Sequence, residues 1–329
     1  MNTMRNNGRT LQAGLTLIEL MIAMTLGLFL MLGVTNVYLA QRQAYRTNEN
    51  LANMQNNARA AFELMARELR EAGVNPCGTP IVSNVTNGSS ASTWLNWSAG
   101  GIQGFESSAS LPVDVVTTAA ARIAGTDAVI VRSGSLDNPM IIADHTSTTD
   151  PLKVNTASHG FLTNDLLMAC DFRQATIFQT TSASSASVDI GHATGVGTPG
   201  NCSDSFVTNC AGAGHQFAAN GFLTELSVTA WYVGDNGRGG SSLYRILNGG
   251  APQEIAEGIT DMQLQYLTRT GTSPATDYVD ASSIASWANT ANALVIAVRV
   301  TLDLESRENA GSDGAPLKRS LIHVVNRRG

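Results

Sequence analysis

Polarity along the chain changes in long blocks. The 22 positions from Leu20 to Gln41 carry no charge. At about 1.5 Å per residue they make roughly 33 Å of helix, enough to cross a bilayer core. Beyond them Ala44, Leu51, Met54, Ala58, Ala61, Phe62, Met65, Leu69 and Ala72 recur at intervals of three, four and seven. Arg42, Arg46, Glu49, Asn53, Asn56, Glu63, Arg67 and Glu71 fall mostly elsewhere, so the spacing predicts one apolar helix face. Glu63 and Arg67 stand as an i,i+4 pair in the favourable order, worth a few tenths of a kcal/mol. No proline occurs from Met1 to Asn75, while Gly73 and Pro76 mark a stop. The pattern predicts one helix from Leu15 to Ala72, roughly 87 Å long. Residues 15–41 would be its membrane half and 42–72 its amphipathic half, with Gly27 and Gly33 allowing close helix contact in the span.

From residue 73 to 329 the period changes to that of strands. Asp127–Arg132, Leu166–Cys170 and Ala175–Thr181 read as short buried strands. Phe222–Val233 alternates, and Asp235-Asn236-Gly237 before Ser242–Ile246 is a hairpin signal. The same turn carries a weak likeness to a calcium loop, without the full acidic spacing. Another strand starts near Thr260. In the clearest one Leu294, Ile296, Val298, Val300, Leu302 and Leu304 face one way. Leu317–Asn326 closes the chain, and its Asn-Arg-Arg-Gly end reads as a solvated terminus. Residues 78–125 and 182–220, rich in Ser, Asn, Gly and Thr, read as loops, the first anchored by Trp94 and Trp97. The fold class expected is α+β: a long N-terminal helix, half transmembrane, packed on an antiparallel sheet head with long loops.

Charged residues are 14% of the 329, against about 25% in average domains. Net charge is −6, and −8 without Arg5 and Arg9, which argues against a generic nucleic-acid surface. Cys77, Cys170, Cys202 and Cys210 all lie past the span. In an oxidising compartment an even count favours two disulfides, with three connectivities open. Pairing Cys202 with Cys210 would staple one loop and leave Cys77 and Cys170 to tie the helix end to the sheet. A zinc site competes, but no C-x2-C or H-x3-H spacing supports it. The five histidines, His145, His159, His192, His215 and His323, are scattered and expected at the surface. There is no P-loop, dinucleotide fingerprint or nucleophile elbow. No catalytic residue, cofactor site or metal site is expected, and no small-molecule substrate.

The N-terminus carries the distinctive chemistry. Residues 1–14 hold two arginines and no acid and end in Gly14; then comes Leu15-Thr16-Leu17-Ile18-Glu19-Leu20. A secretory signal peptide also runs from basic to apolar, but its apolar stretch is shorter. The basic leader predicts a cytoplasmic N-terminus and an exported remainder. The leader ending in Gly, followed by an apolar residue and Thr-Leu-Ile-Glu-Leu, resembles the class III signal of type IV pilins and pseudopilins. The resemblance implies cleavage between Gly14 and Leu15 by a prepilin peptidase, with methylation of the new Leu15 amine. The family's usual first residue is Phe, so Leu15 departs from its pattern. Glu19 falls at the fifth mature position, where the family keeps a Glu. An acid at the bilayer centre costs about 3 kcal/mol on insertion scales, and a paired buried charge costs much less than a lone one. Glu19 is thus expected to be a register key, pairing with the Leu15 amine of an adjacent subunit.

Further words narrow the likeness. Tyr45, the Gln55–Arg59 stretch, Arg67-Glu68-Leu69-Arg70-Glu71-Ala72-Gly73 before Cys77, Cys170-Asp171 before Ile177-Phe178-Gln179, and the order Leu243-Tyr244-Arg245, Glu257-Gly258-Ile259, Gln265-Tyr266 resemble the PilW family of minor pilins. That resemblance implies an inner-membrane protein, N-terminus cytoplasmic and head periplasmic, that primes pilus assembly and reaches the fibre or its tip. Twitching motility, adhesion and DNA uptake are the activities it implies. Implied partners are other minor pilins, the major pilin, the prepilin peptidase and the pilus assembly platform. Two alternatives stand beside it: a J-like minor pseudopilin of type II secretion, and a tip adhesin or DNA-capture module.

Overall fold

The computed structural model describes residues 14, 16–79, 82–87, 94–97, 100–107, 109–112, 120–288, 294–311 and 313–328. A single helix, α1, runs over Leu17–Glu71, about 82 Å at the standard rise. Its start is fixed by a capping box at Thr16, and its end by Gly73, whose φ of 75° suits glycine. A Cβ on Gly101 would run into the Gly73 backbone, so the chain leaving the helix and the 100–101 segment lie backbone to backbone. Met54, Ala58, Ala61, Met65 and Leu69 are buried, as the 3.6-residue period requires, whereas Ala44 is exposed. Arg67 pairs with Glu71 at 3.8 Å and with Asp137 across the head, not with Glu63 as expected.

Two sheets form the head, and chain order divides them. The first takes β1 (Val82–Asn84), β2 (Ile102–Phe105), β3 (Ala128–Gly134), β4 (Met140–Asp144), β5 (Leu152–Val154), β6 (Leu166–Cys170), β7 (Ala175–Gln179), β8 (Asp189–Ile190), β9 (Phe222–Asp235), β10 (Ser241–Leu247) and β11 (Gln253–Glu257). The second takes β12 (Ile259–Thr270), β13 (Ser273–Pro274), β14 (Val279–Asp280), β15 (Leu294–Glu305) and β16 (Lys318–Asn326). Pairing is antiparallel except for β1 with β7. The 14-residue β9 is the spine of the first sheet, bonding to β3, β4, β6 and β10 along its length. The Asp235–Gly240 turn joins β9 to β10 as its sequence predicts.

Three expectations need correction. The 78–125 stretch contributes β1 and β2 instead of loops alone. Gln253–Glu257 is a strand, with β12 beginning at Ile259. In β15 the alternation slips: Val295 and Ala297 are buried, and then Val298, Val300, Leu302 and Leu304. The pairing with β12 skips a residue between Leu267/Ala297 and Thr268/Val295, so Ile296 is the extra residue of a bulge. One inserted residue moves everything before it to the opposite face.

Three apolar clusters hold the head. One joins the stem face to both sheets, through Trp231, Met262, Leu264, Val300 and Leu302. A second fills the other side of β3, β6, β7, β9 and β10. The third, around Ile142, Leu152, Phe161, Phe178, Phe206 and Phe217, lies partly within 182–220, which is therefore a packed lobe and not an exposed loop. His145, His159, His192 and His215 are buried, contrary to expectation. His145 Nδ1 accepts the Phe217 N–H at 3.0 Å, and burial, helped by His192, pushes its pKa down to about 4. The unfolded chain takes up that proton first, so this lobe loses stability as pH falls from 6.5 through 4.

Asp127 acts in the opposite sense. One carboxylate oxygen accepts the Leu264 N–H at 2.8 Å; the other is buried with no hydrogen-bond partner among the described residues. Burial lifts its pKa to about 6, partly offset by the Leu264 hydrogen bond. The folded state binds the proton more tightly, so stability is gained as pH falls through 6 and is lost again as pH rises. Asp127→Asn keeps an acceptor for Leu264 without the charge. It is expected to stabilise the protein by about 1–2 kcal/mol at pH 7.5 and by nothing at pH 4, checked by urea unfolding at both pH values.

Candidate functional site

The features that could engage partners lie along the stem. At its start Thr16 Oγ1 accepts the Glu19 N–H, while Glu19 Oε2 accepts the Thr16 N–H at 2.9 Å and its hydroxyl at 2.8 Å. Within one chain the Glu19 carboxylate is therefore satisfied by its own helix cap. The Thr-x-x-Glu spacing is a recognised capping-box signature, legible beside the charge pattern that drew attention to Glu19. Gly14 is exposed; Leu15 and residues 1–13 of the leader lie outside the described residues. From Leu17 to Tyr38 the large apolar side chains are all exposed, and nothing among the described residues of the head covers this half of the helix. The helix is long and apolar enough to cross a membrane.

Lower on the stem, polar contacts take over. Gln43 and Thr47 donate to the Ala310 carbonyl at 3.2 and 2.7 Å. Phe62 stacks on His323 with ring centroids 3.8 Å apart. Glu68 is the main anchor: Trp231 Nε1 donates to one oxygen at 2.6 Å, and Arg245 reaches the other at 2.6 Å. Arg67 Nη2 donates to both carboxylate oxygens of Asp137, at 3.0 and 2.9 Å. At the end of the helix Arg327 Nε donates to the Ala72 carbonyl at 2.8 Å, and the Arg328 N–H to that of Arg70 at 2.9 Å. The basic C-terminus therefore caps the stem; it is not a solvated tail. Sequence spacing could not reveal these partners, which sit up to 267 residues apart.

The cysteines pair as Cys77–Cys170 and Cys202–Cys210, with Cα separations of 5.9 and 5.7 Å. The first ties the segment after the stem to β6, and the second closes a short loop of the third cluster. All four thiols are consumed, which removes the zinc reading. The Asp235–Gly240 turn uses its own oxygens: Asp235 Oδ1 accepts the Gly237 N–H, and Asn236 Oδ1 accepts those of Arg238 and Gly240. That is turn chemistry, not cation ligation. Between Asn50–Asn57 of the stem and the head lies a groove of about 990 Å³. Of its acids, Glu257 pairs with Arg238 and Glu305 with Lys318, both at 3.6 Å.

Two family models match. Residues 9–35 match the prokaryotic N-terminal methylation motif, spanning the leader, Gly14, Glu19 and most of the apolar stretch. Residues 230–322 match the type IV pilus-assembly protein W, spanning the end of β9 through most of β16, including Trp231 and Arg245 that hold Glu68. No curated protein and no solved structure matches the chain. The methylation motif thus opens on the exposed apolar helix, and the assembly-protein match runs from the end of β9 into β16 and includes the residues that hold Glu68; together the two matches support a PilW-type pilin with a prepilin leader.

Proposed function

We propose that the protein is cut between Gly14 and Leu15 by prepilin peptidase and methylated at the Leu15 amine. It waits in the inner membrane with its head in the periplasm, and primes pilus assembly together with other minor pilins, the major pilin and the assembly platform. It then enters the fibre, at or near the tip. It performs no catalysis. The observation that carries this reading is the contrast within one helix: the half from Met54 to Leu69 is buried against the head, while the half from Leu17 to Tyr38 is covered by nothing among the described residues. An apolar surface of that size needs a bilayer first and neighbouring helices afterwards.

In the assembled state Glu19 exchanges its own cap for the Leu15 amine of the adjacent subunit. Glu19→Gln separates the two roles, because glutamine still serves a capping box but carries no charge. Both Glu19→Gln and Glu19→Ala are expected to be processed and to stay in the membrane. Both should lower surface piliation at least about ten-fold, the effect of leaving one buried charge of a pair alone. Wild-type piliation with Glu19→Gln refutes the charge pairing. Gene deletion scored separately for pili, DNA uptake and exoprotein secretion tests the wider reading. Normal pili with lost secretion would assign the chain to a J-like pseudopilin.

A further inference from the structure

The most exposed large apolar side chain in the described structure is not in the membrane half of the stem. Phe172, at 79% exposure, stands further out than Leu17 at 77%. It sits in the four-residue turn from Asp171 to Gln174 that joins β6 to β7. Scattered surface apolars are normal, and a floppy turn would make this one unremarkable. The turn is instead locked from below. Asp171, 3% exposed, accepts the N–H of Arg173 at 2.8 Å and of Gln174 at 3.0 Å on Oδ1. Its Oδ2 takes the N–H of Ala218 at 3.1 Å and His215 Nε2 at 2.9 Å. Burial pushes this carboxyl upward, but those hydrogen bonds outweigh it and hold it below the usual range, so it stays charged. The neighbouring Cys170 is bonded to Cys77. An aromatic held out on a rigid support has little ordering entropy to lose on binding, which is the property of a hot-spot anchor.

The turn's position selects the occupant. Cys77 follows the C-terminal end of α1, and the stretch from Gln41 to Ala72 spans roughly 46 Å. Phe172 therefore lies at the end of the stem far from the apolar half, out of reach of the bilayer that half would occupy. Arg173 beside it is exposed and makes no ion pair among the described residues. We propose that Phe172 is a docking knob for the head of a different pilin subunit, entering an apolar pocket on that head whose rim carries carboxylates for Arg173. This rests on the reading of the chain as a minor pilin; Asp171 and His215 are positioning residues.

The test uses the full-length chain in membranes containing the other pilus subunits. A photoreactive benzoylphenylalanine at position 172 is expected to give one adduct, on the head of another pilin. Phe172→Ala should lower co-purification of that subunit at least about ten-fold with unchanged thermal unfolding. Leu162→Ala, an equally peripheral apolar loss on the same lobe at 65% exposure, should change neither. Adducts with lipid or with a second copy, no adduct, or normal co-purification of Phe172→Ala would overturn the docking role. If wild type brings down pilus subunits while Phe172→Ala does so equally, the knob fails and the minor-pilin reading stands. If wild type brings down none, both fail.

Discussion

Removing the Cys77–Cys170 bond by a Cys77→Ala/Cys170→Ala double substitution is expected to cost about 4–5 kcal/mol. The bond closes a loop of 93 residues, and loop-closure entropy in the unfolded chain sets that magnitude. Alanine is the right replacement, because Cys170 is fully buried in the second apolar cluster and serine would add a buried hydroxyl. The matching change at Cys202 and Cys210, separated by 8 residues, is expected to cost only about 2–3 kcal/mol. Urea unfolding of the detergent-solubilised full chain, followed by tryptophan fluorescence, measures both. Equal losses for the two pairs would show that strain or local packing, not loop length, governs them.

The second large effect concerns the anchor between stem and head. Glu68→Ala leaves the Trp231 N–H and the Arg245 guanidinium without their carboxylate in a mostly buried setting. Arg245 Nε already has no partner among the described residues, so the loss falls on a cation with little other compensation. A cost of about 3 kcal/mol is expected, the lower end of breaking a buried pair. Adding Arg245→Met should recover part of it, since the stranded charge goes too. A double variant less stable than Glu68→Ala alone would mean that Arg245 contributes through its stem packing and not through its charge.

How much of this was legible follows from where each signal resides. The stem was readable residue by residue because burial follows one period and one face, from Met54 to Leu69. Strands β6, β9 and β10 were close to their expected limits for the same reason. The two-residue period failed at Ile296, since a bulge leaves no mark on composition. The third cluster was invisible: Phe206 and Phe217 are single aromatics in a Ser- and Gly-rich stretch, and their packing on His145 and His192 is wholly tertiary. Histidines that look like surface residues in sequence are buried there, with one ring nitrogen of each held by a backbone group: His145 Nδ1 by the Phe217 N–H and His192 Nε2 by the Asp150 carbonyl. At the candidate site Glu19 stands out by its charge in an apolar stretch, and Gly14 only through the resemblance of the leader to the class III signal. The grip on the stem was not, because Glu68, Arg245 and Arg327 are ordinary charges until the fold brings them together.

The capping of α1 by Arg327 and Arg328 imposes an order on synthesis. The stem's head-facing half is among the first segments made, yet its last carbonyls and Phe62 find their partners only in the final strand and tail. Until β16 pairs with β15 across its nine residues, β15 has one open edge and the stem's end is uncapped. A chain stopped before Lys318 would hold every residue of the stem and of β12 but would lack the piece that closes them. Such long-range closure is slow, and an unpaired strand edge invites association with other chains. A ragged C-terminus should therefore compromise this molecule more than its place at the end of the chain suggests.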